Sequence, residues 1–158
     1  MRNKGFTLVE LMVVIAIVGI LALVAMPSFT SLISSTRVSS QANDLVAALG
    51  ITRSEAVKRN AQVQLCPSSD GATCSAGTDW SSGWLVRVVS DGSILRVYPA
   101  LTSGNTLTAG STAFVTYLSN GQTLQAETFN LCGSGGTQSR SISISVSGRV
   151  KSSNPGTC

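Results

Sequence analysis

The most apolar part of the chain is a continuous run near its N-terminus. Residues 11–26 carry no polar side chain, and the wider stretch 6–29 contains a single charge, Glu10. A helix over this stretch rises about 36 Å, enough to cross a hydrocarbon core of about 30 Å. Arg2 and Lys4 precede the run with no acid between them. This charge pattern predicts that the N-terminal end stays in the cytoplasm and that the rest of the chain lies outside.

The pattern becomes amphipathic after Pro27 and remains so up to Asn60. Pro27 removes one helical hydrogen bond and is expected to kink or loosen the helix without ending the helical region. Beyond it, apolar or small residues recur at three-to-four spacing, which predicts one helix face packed against a core. These residues are Phe29, Leu32, Ile33, Leu45, Leu49, Thr52 and Ala56.

After Asn60 the spacing of apolar residues changes to two, which is typical of strands. Asp91-Gly92 and Asn120-Gly121 are hairpin turn signals between apolar runs. The segments near 102–111 and 133–139 are rich in Gly, Ser and Thr and are predicted to be loops. A long helix followed by about six strands predicts an α+β fold, with the helix packed on an antiparallel sheet. The predicted strands are 62–66, 84–89, 93–98, 113–118, 124–130 and 141–146.

Composition argues against an enzyme. The 158 residues include no histidine and only seven acids, against eleven bases. Without histidine, no Ser-His, Cys-His or His-zinc chemistry can be assembled, and the scattered acids form no acid-base pair. We therefore predict no catalytic residues, no metal site and no cofactor. The mean hydropathy of +0.30 is an average of two unlike parts, an apolar helix and a Ser/Thr-rich head.

Two common explanations of the N-terminal run leave a feature unexplained. A cleaved secretory signal usually has an apolar core of about 7–15 residues, shorter than this run. A plain membrane anchor explains the length but not Glu10, because a carboxylate costs about 2.5–3.5 kcal/mol in mid-membrane. The residues Lys4-Gly5-Phe6-Thr7-Leu8-Val9-Glu10 resemble the class III signal of type IV pilins and pseudopilins.

This resemblance implies the type IV pilin fold and a specific maturation. A prepilin peptidase would cleave between Gly5 and Phe6, and Phe6 would then be N-methylated. Glu10 would pair with the N-terminal amine of a neighbouring subunit, since a buried carboxylate is tolerated beside an opposite charge. The implied organisation is a leader (1–5), a transmembrane and filament-core helix whose apolar half protrudes (6–28), and a periplasmic head (29–158).

The second half of the chain points to one group within that family. Two short motifs resemble the corresponding motifs of H-type minor pseudopilins and FimT/FimU minor pilins: Arg53-Ser54-Glu55-Ala56 and Trp80-Ser81-Ser82-Gly83-Trp84. The resemblance implies a minor pilin that primes assembly or sits at the tip of a type IV pilus. It also implies partners: other minor and major pilins and an inner-membrane assembly platform, with the chain in the inner membrane before assembly. The alternative is a minor pseudopilin of a type II secretion system. Trp80 and Trp84 are expected to be core anchors at the helix–sheet contact.

A basic motif near the C-terminus makes DNA binding a candidate function. Gly148-Arg149-Val150-Lys151 resembles the Gly-Arg-x-Arg motif of FimT-like proteins associated with DNA uptake, with Lys151 in place of the second arginine. Three bases and no acid follow Glu127, namely Arg140, Arg149 and Lys151. These cations could hold phosphates without reading sequence. The alternative, solvated charges protecting a strand edge, stays open, and we identify no nearby aromatic residue for base stacking.

All four cysteines lie in the part expected to be periplasmic, where disulfides persist. Four cysteines allow three pairings. We favour Cys66 with Cys74, which closes a short loop, and Cys132 with Cys158, which ties down the last residue.

Overall fold

The computed structural model describes residues 5–102, 104–136 and 138–158, apart from the side chains of 23–28. Helix α1 spans Leu8–Arg59 and continues through Pro27, as the sequence analysis expected. Thr7 caps it, since its Oγ1 accepts a hydrogen bond from the Glu10 backbone N–H at 3.2 Å. The chain divides into two compact units, one up to Ser34 and one from Ser35 to Cys158.

The first unit consists mainly of the N-terminal part of α1. The large apolar side chains that the structure describes in this unit are exposed, from 81% at Phe6 to 48% at Val14. Phe29 and Leu32 are also exposed, so the predicted core-facing stripe does not begin at Phe29. Among the described residues, we find no helix with the length and apolarity needed to cross a membrane.

The second unit packs the rest of α1 on antiparallel strands, eight of them among the described residues. The strands are β1 Val63–Pro67, β2 Trp84–Val88, β3 Ile94–Tyr98, β4 Thr106–Ala109, β5 Val115–Tyr117, β6 Glu127–Cys132, β7 Ser139–Ile144 and β8 Val150–Ser153. They form two sheets, the first in the order β3-β2-β1-β5 and the second in the order β4-β6-β7-β8. The type IV pilin fold, a long helix on antiparallel strands, is thereby confirmed, with two sheets in place of the expected one.

Two of these strands were missed in the sequence. Strand β4 lies in the segment 102–111, so the prediction of a loop there is wrong. Only two of its side chains, Leu107 and Ala109, face the core, and the other two are threonines, so the alternation is too short to recognise. Strand β8 was missed because it is exposed along almost its whole length and contains one apolar residue, Val150.

A single core joins the helix to both sheets. From α1 it takes Leu45, Leu49 and Ala56, which are fully buried, and the predicted Thr52 is buried with them. The two tryptophans are buried anchors in this core, as expected. The Trp80 ring meets Phe129 edge to face at 4.8 Å, and Trp84 stacks on Tyr98 at 5.7 Å.

Candidate functional site

The basic C-terminal motif begins in a tight turn between β7 and β8. The Ser145 N–H donates to the Arg149 carbonyl at 3.0 Å, and the Gly148 N–H donates to the Ser145 carbonyl at 2.8 Å. Gly148 has φ +77°, in the left-handed region that favours glycine. A Cβ at this position would also overlap the carbonyl oxygen of Gly121. The glycine of the motif is therefore required by the turn that presents Arg149.

Arg53 ties this turn to helix α1. Its Nη2 donates to the Ser147 carbonyl at 3.3 Å, a contact across 94 residues of sequence. The same guanidinium lies close to Gly121 and Gly148, where added Cβ atoms would sit 3.1 and 3.3 Å from its Nε. Arg53, the first residue of the Arg53-Ser54-Glu55-Ala56 motif, thus has a structural role, because it holds the turn that carries the basic motif.

Arg149 and Lys151 line one open groove of about 800 Å³ on the second sheet. Its floor is a row of neighbours across three strands, with Thr128 paired to Ser143 and Ser143 paired to Lys151. Gly110 extends the row through its N–H, which donates to the Thr128 carbonyl at 2.9 Å. Hydroxyls and two cations therefore meet on one surface.

Glu127 lines the same groove and binds the segment 110–112 beside it. The side chain is buried, and its carboxylate accepts hydrogen bonds from the backbone N–H groups of Gly110 (3.0 Å), Ser111 (3.2 Å), Thr112 (2.8 Å) and Thr128 (2.7 Å). The hydroxyls of Ser111 and Thr112 donate as well, at 3.2 and 2.6 Å. Burial alone would raise the pKa of Glu127, but the hydrogen bonds from Thr112, Thr128 and Ser111 outweigh burial and hold the pKa below its ordinary value.

The sequence analysis did not identify Glu127 as part of the site. A lone glutamate at the start of a strand carries no recognisable motif. The one signal was that Glu127 is the last acid in the sequence, with Arg140, Arg149 and Lys151 as the charged residues after it.

Arg140 is not part of this groove. It shares its strand face with Ile142 and Ile144, whose side chains are buried in the core. Its Nη2 donates to the Ser39 hydroxyl of α1 at 2.9 Å, so it links strand to helix. The structure thus brings together two of the three cations singled out in the sequence.

The two disulfides are Cys66–Cys74 and Cys132–Cys158, the pairing favoured from the sequence. Their Cα atoms are 5.6 and 6.0 Å apart. Inside the first loop, the Asp70 carboxylate accepts hydrogen bonds from the backbone and hydroxyl of Thr73 and from the Ala72 N–H. These bonds, led by the Thr73 backbone N–H, lower the pKa of Asp70. The second disulfide fastens the chain end to the end of β6.

The predicted processing residues lie at the start of α1. Gly5 and Phe6 precede the helix and are exposed, and Glu10 lies in its first turn. Arg2 and Lys4 lie outside the described residues. Among the described residues, no three potential metal ligands come together.

Comparison with known proteins identifies the family of the chain. The family model described as "Type II transport protein GspH" matches residues 41–148. The chain belongs to this family. In this GspH-family protein, a second model, "Prokaryotic N-terminal methylation motif", matches residues 1–26. The GspH-family match contains both Arg53 and Gly148, the two residues that build the basic turn.

Curated relatives of the GspH-family protein match over part of the chain. A "Type IV major alpha-pilin" of Moraxella bovis is 50% identical over 45 residues, 28% of each chain. A "Fimbrial protein" of Moraxella nonliquefaciens is 39% identical over 81 residues, 51% of this chain and 49% of that protein. The chain thus spans about half or less of the length of the curated relatives it matches.

Solved structures match the GspH-family protein over most of its length. One crystal structure of the type IV minor pilin FimU of Pseudomonas aeruginosa (strain PAO1) has a TM-score of 0.61 and 29% identity, covering 76% of this chain and 98% of that one. A second crystal form has a TM-score of 0.65 and 27% identity, covering 78% and 96%. The minor pseudopilin EpsH from the type 2 secretion system of Vibrio cholerae shares the fold, with a TM-score of 0.57 and 13% identity over 76% of this chain and 98% of that one. The GspH-family protein is therefore type IV pilin-like, of the minor pilin or pseudopilin kind.

Proposed function

We propose that this chain is a minor pilin of a type IV pilus, acting in the complex that primes assembly or caps the tip. The observation that carries the proposal is the 29% identity to the minor pilin FimU across nearly the whole of that chain. Identity to the pseudopilin EpsH is 13% over a similar span, and supports the fold only.

The N-terminus supports a membrane-anchored subunit that is later built into a filament. The methylation-motif match covers residues 1–26, and so includes Gly5, Phe6 and Glu10. In this proposal a prepilin peptidase cleaves after Gly5, and Phe6 is methylated. The apolar helix 6–28 then anchors the subunit in the inner membrane, with head 29–158 in the periplasm, until the assembly platform passes it to other pilins. Glu10 pairs with the amine of a neighbouring subunit in the filament, where an isolated carboxylate would be costly.

The proposal extends to DNA capture for natural transformation. Arg149 and Lys151 line one groove, and neither forms an ion pair with any described residue. Two cations beside hydroxyl groups suit a phosphodiester backbone and read no base sequence. Binding by one subunit is weak and salt-sensitive, and several subunits in a filament raise it through avidity.

The test is the double variant Arg149→Gln with Lys151→Gln in the full chain in detergent. We expect DNA retention at low salt to be lost, while Lys58→Gln, which removes a cation from the exposed end of α1, leaves it unchanged. In cells the double variant should be defective in transformation with normal piliation. Equal retention by wild type and double variant contradicts the DNA site.

A second candidate function is a minor pseudopilin of a type II secretion system. It is favoured by the matching family model, whose description names type II transport. A deletion strain separates the two functions. Loss of pili and twitching with normal protein secretion supports the pilus, and the reverse result supports secretion.

A further inference from the structure

Three exposed apolar side chains lie beside the basic groove. Phe114, Leu124 and Val146 are 49%, 64% and 52% exposed, and we call them the apolar shelf. Phe114 and Leu124 line one small cavity of about 80 Å³ at the outer edge of strand β5. The shelf thus presents a half-exposed aromatic ring together with two exposed aliphatic side chains.

The shelf and the groove are continuous. Glu127 lines both, and its carboxylate holds Thr112, two residues before Phe114, through hydrogen bonds of 2.6 and 2.8 Å. On the other side, the Thr123 N–H donates to the Val146 carbonyl at 2.9 Å. The Thr123 hydroxyl also donates to the carbonyl of Ser145, a residue that lines the groove, at 3.1 Å.

Cations next to an accessible aromatic ring form the combination that single-stranded nucleic acid requires. The phosphates need positive charge, and an unpaired base needs a π-face on which to stack. Duplex DNA offers no free base faces, so the ring would contribute nothing to its binding. The sequence analysis found no aromatic residue near the basic motif. In the fold, Phe114 directly precedes β5 of the other sheet and lines a cavity that shares Glu127 with the groove.

We propose that the apolar shelf stacks the bases of single-stranded DNA whose phosphates lie along Arg149 and Lys151. This inference rests on the proposed DNA-binding function and adds the kind of strand that the site prefers. Charge favours a nucleic acid over an apolar protein partner, because both cations lack an acidic partner among the described residues. The groove's own acid, Glu127, is already engaged by hydrogen bonds.

The experiment compares two substitutions of one residue. Phe114→Leu keeps an apolar side chain but removes the ring, whereas Phe114→Tyr keeps the ring. Binding of the full chain in detergent is measured by fluorescence anisotropy, with a labelled 20-nucleotide oligothymidylate and a labelled 20-base-pair duplex at low salt. We expect Phe114→Leu to weaken single-strand binding about tenfold, the effect of one stacked base. Phe114→Tyr should retain it, and neither variant should change duplex binding.

The outcomes separate this inference from the proposed function. If the wild type binds neither probe, DNA binding itself is wrong. If the wild type binds through Arg149 and Lys151 but Phe114→Leu matches it, the stacking inference is wrong and DNA binding stands. If Phe114→Leu weakens both probes equally, or blocks incorporation into filaments without changing DNA binding, the shelf has another role and the inference is overturned. Leu124→Ser is a second variant, expected to weaken single-strand binding in the same direction.

Discussion

Gly148→Ala is expected to destabilise the head strongly. A non-glycine residue at φ +77° costs about 1 kcal/mol. The added methyl group also overlaps the Gly121 carbonyl oxygen and lies 3.1 Å from the Tyr117 ring. Because a backbone oxygen cannot rotate away, we add about 2–3 kcal/mol for overpacking. The total of about 3–4 kcal/mol corresponds to a fall in the melting temperature of about 10–15 °C for a head of this size.

The matched control for this prediction is Gly92→Ala. Gly92 has φ +71°, close to that of Gly148, but a Cβ there meets no heavy atom within 4 Å. It therefore carries the conformational cost alone, about 1 kcal/mol. Both variants of the fragment 29–158 can be unfolded by heat and by urea with their disulfides intact, followed by circular dichroism. If Gly148→Ala lowers stability no more than Gly92→Ala does, the close packing of the β7–β8 turn on Gly121 is wrong.

Two further predictions concern the groove. Ser143→Asp places a carboxylate opposite Lys151 and should abolish DNA retention. Ser141→Asp lies on the same strand face but opposite Ser153, and this variant should retain most of the DNA binding. Equal loss in both variants would show that retention does not depend on the groove. Glu127 has a pKa held below its ordinary value of 4.5, so the stability it contributes is present above that pH and is lost as pH falls through the lowered pKa. Glu127→Gln should lower the free energy of unfolding by about 2 kcal/mol at pH 7 and flatten its pH dependence below pH 4.5 in urea unfolding. If the pH dependence below pH 4.5 is unchanged, the stabilising role of the carboxylate is contradicted.

Much of the fold could be predicted because its apolar spacing is regular. The helix face with Leu45 and Leu49 and the inward face of β7 follow directly from periods of three to four and of two. The location of Arg140 was also available from the same alternation, since it precedes Ile142 by two residues. It was grouped with the other cations because counting charges along the chain ignores the faces of the strands.

The site could be predicted only in part, because its surroundings depend on contacts distant in sequence. Arg53 and Ser147 are far apart in the chain, and nothing in either local pattern indicates their hydrogen bond. Phe114 directly precedes β5 of the first sheet, and it lines a cavity beside the groove, where Glu127 of the second sheet holds the segment before it. The motif identified the two cations, but the hydroxyl floor and the aromatic neighbour required the tertiary structure.

Along β6 and β7 of the second sheet, outward-facing side chains alternate with buried ones, so the two sets are under different structural constraints. Thr128, Ser143 and Lys151 form the outward row, while Phe129 and Ile142 on the same strands are fully buried. Substitutions in the outward row can therefore accumulate without changing the core, so the chemistry of this surface can change at little cost in stability. Overall identity is consequently a poor guide to the chemistry of this surface, and the residues of this one row are the more informative comparison between members.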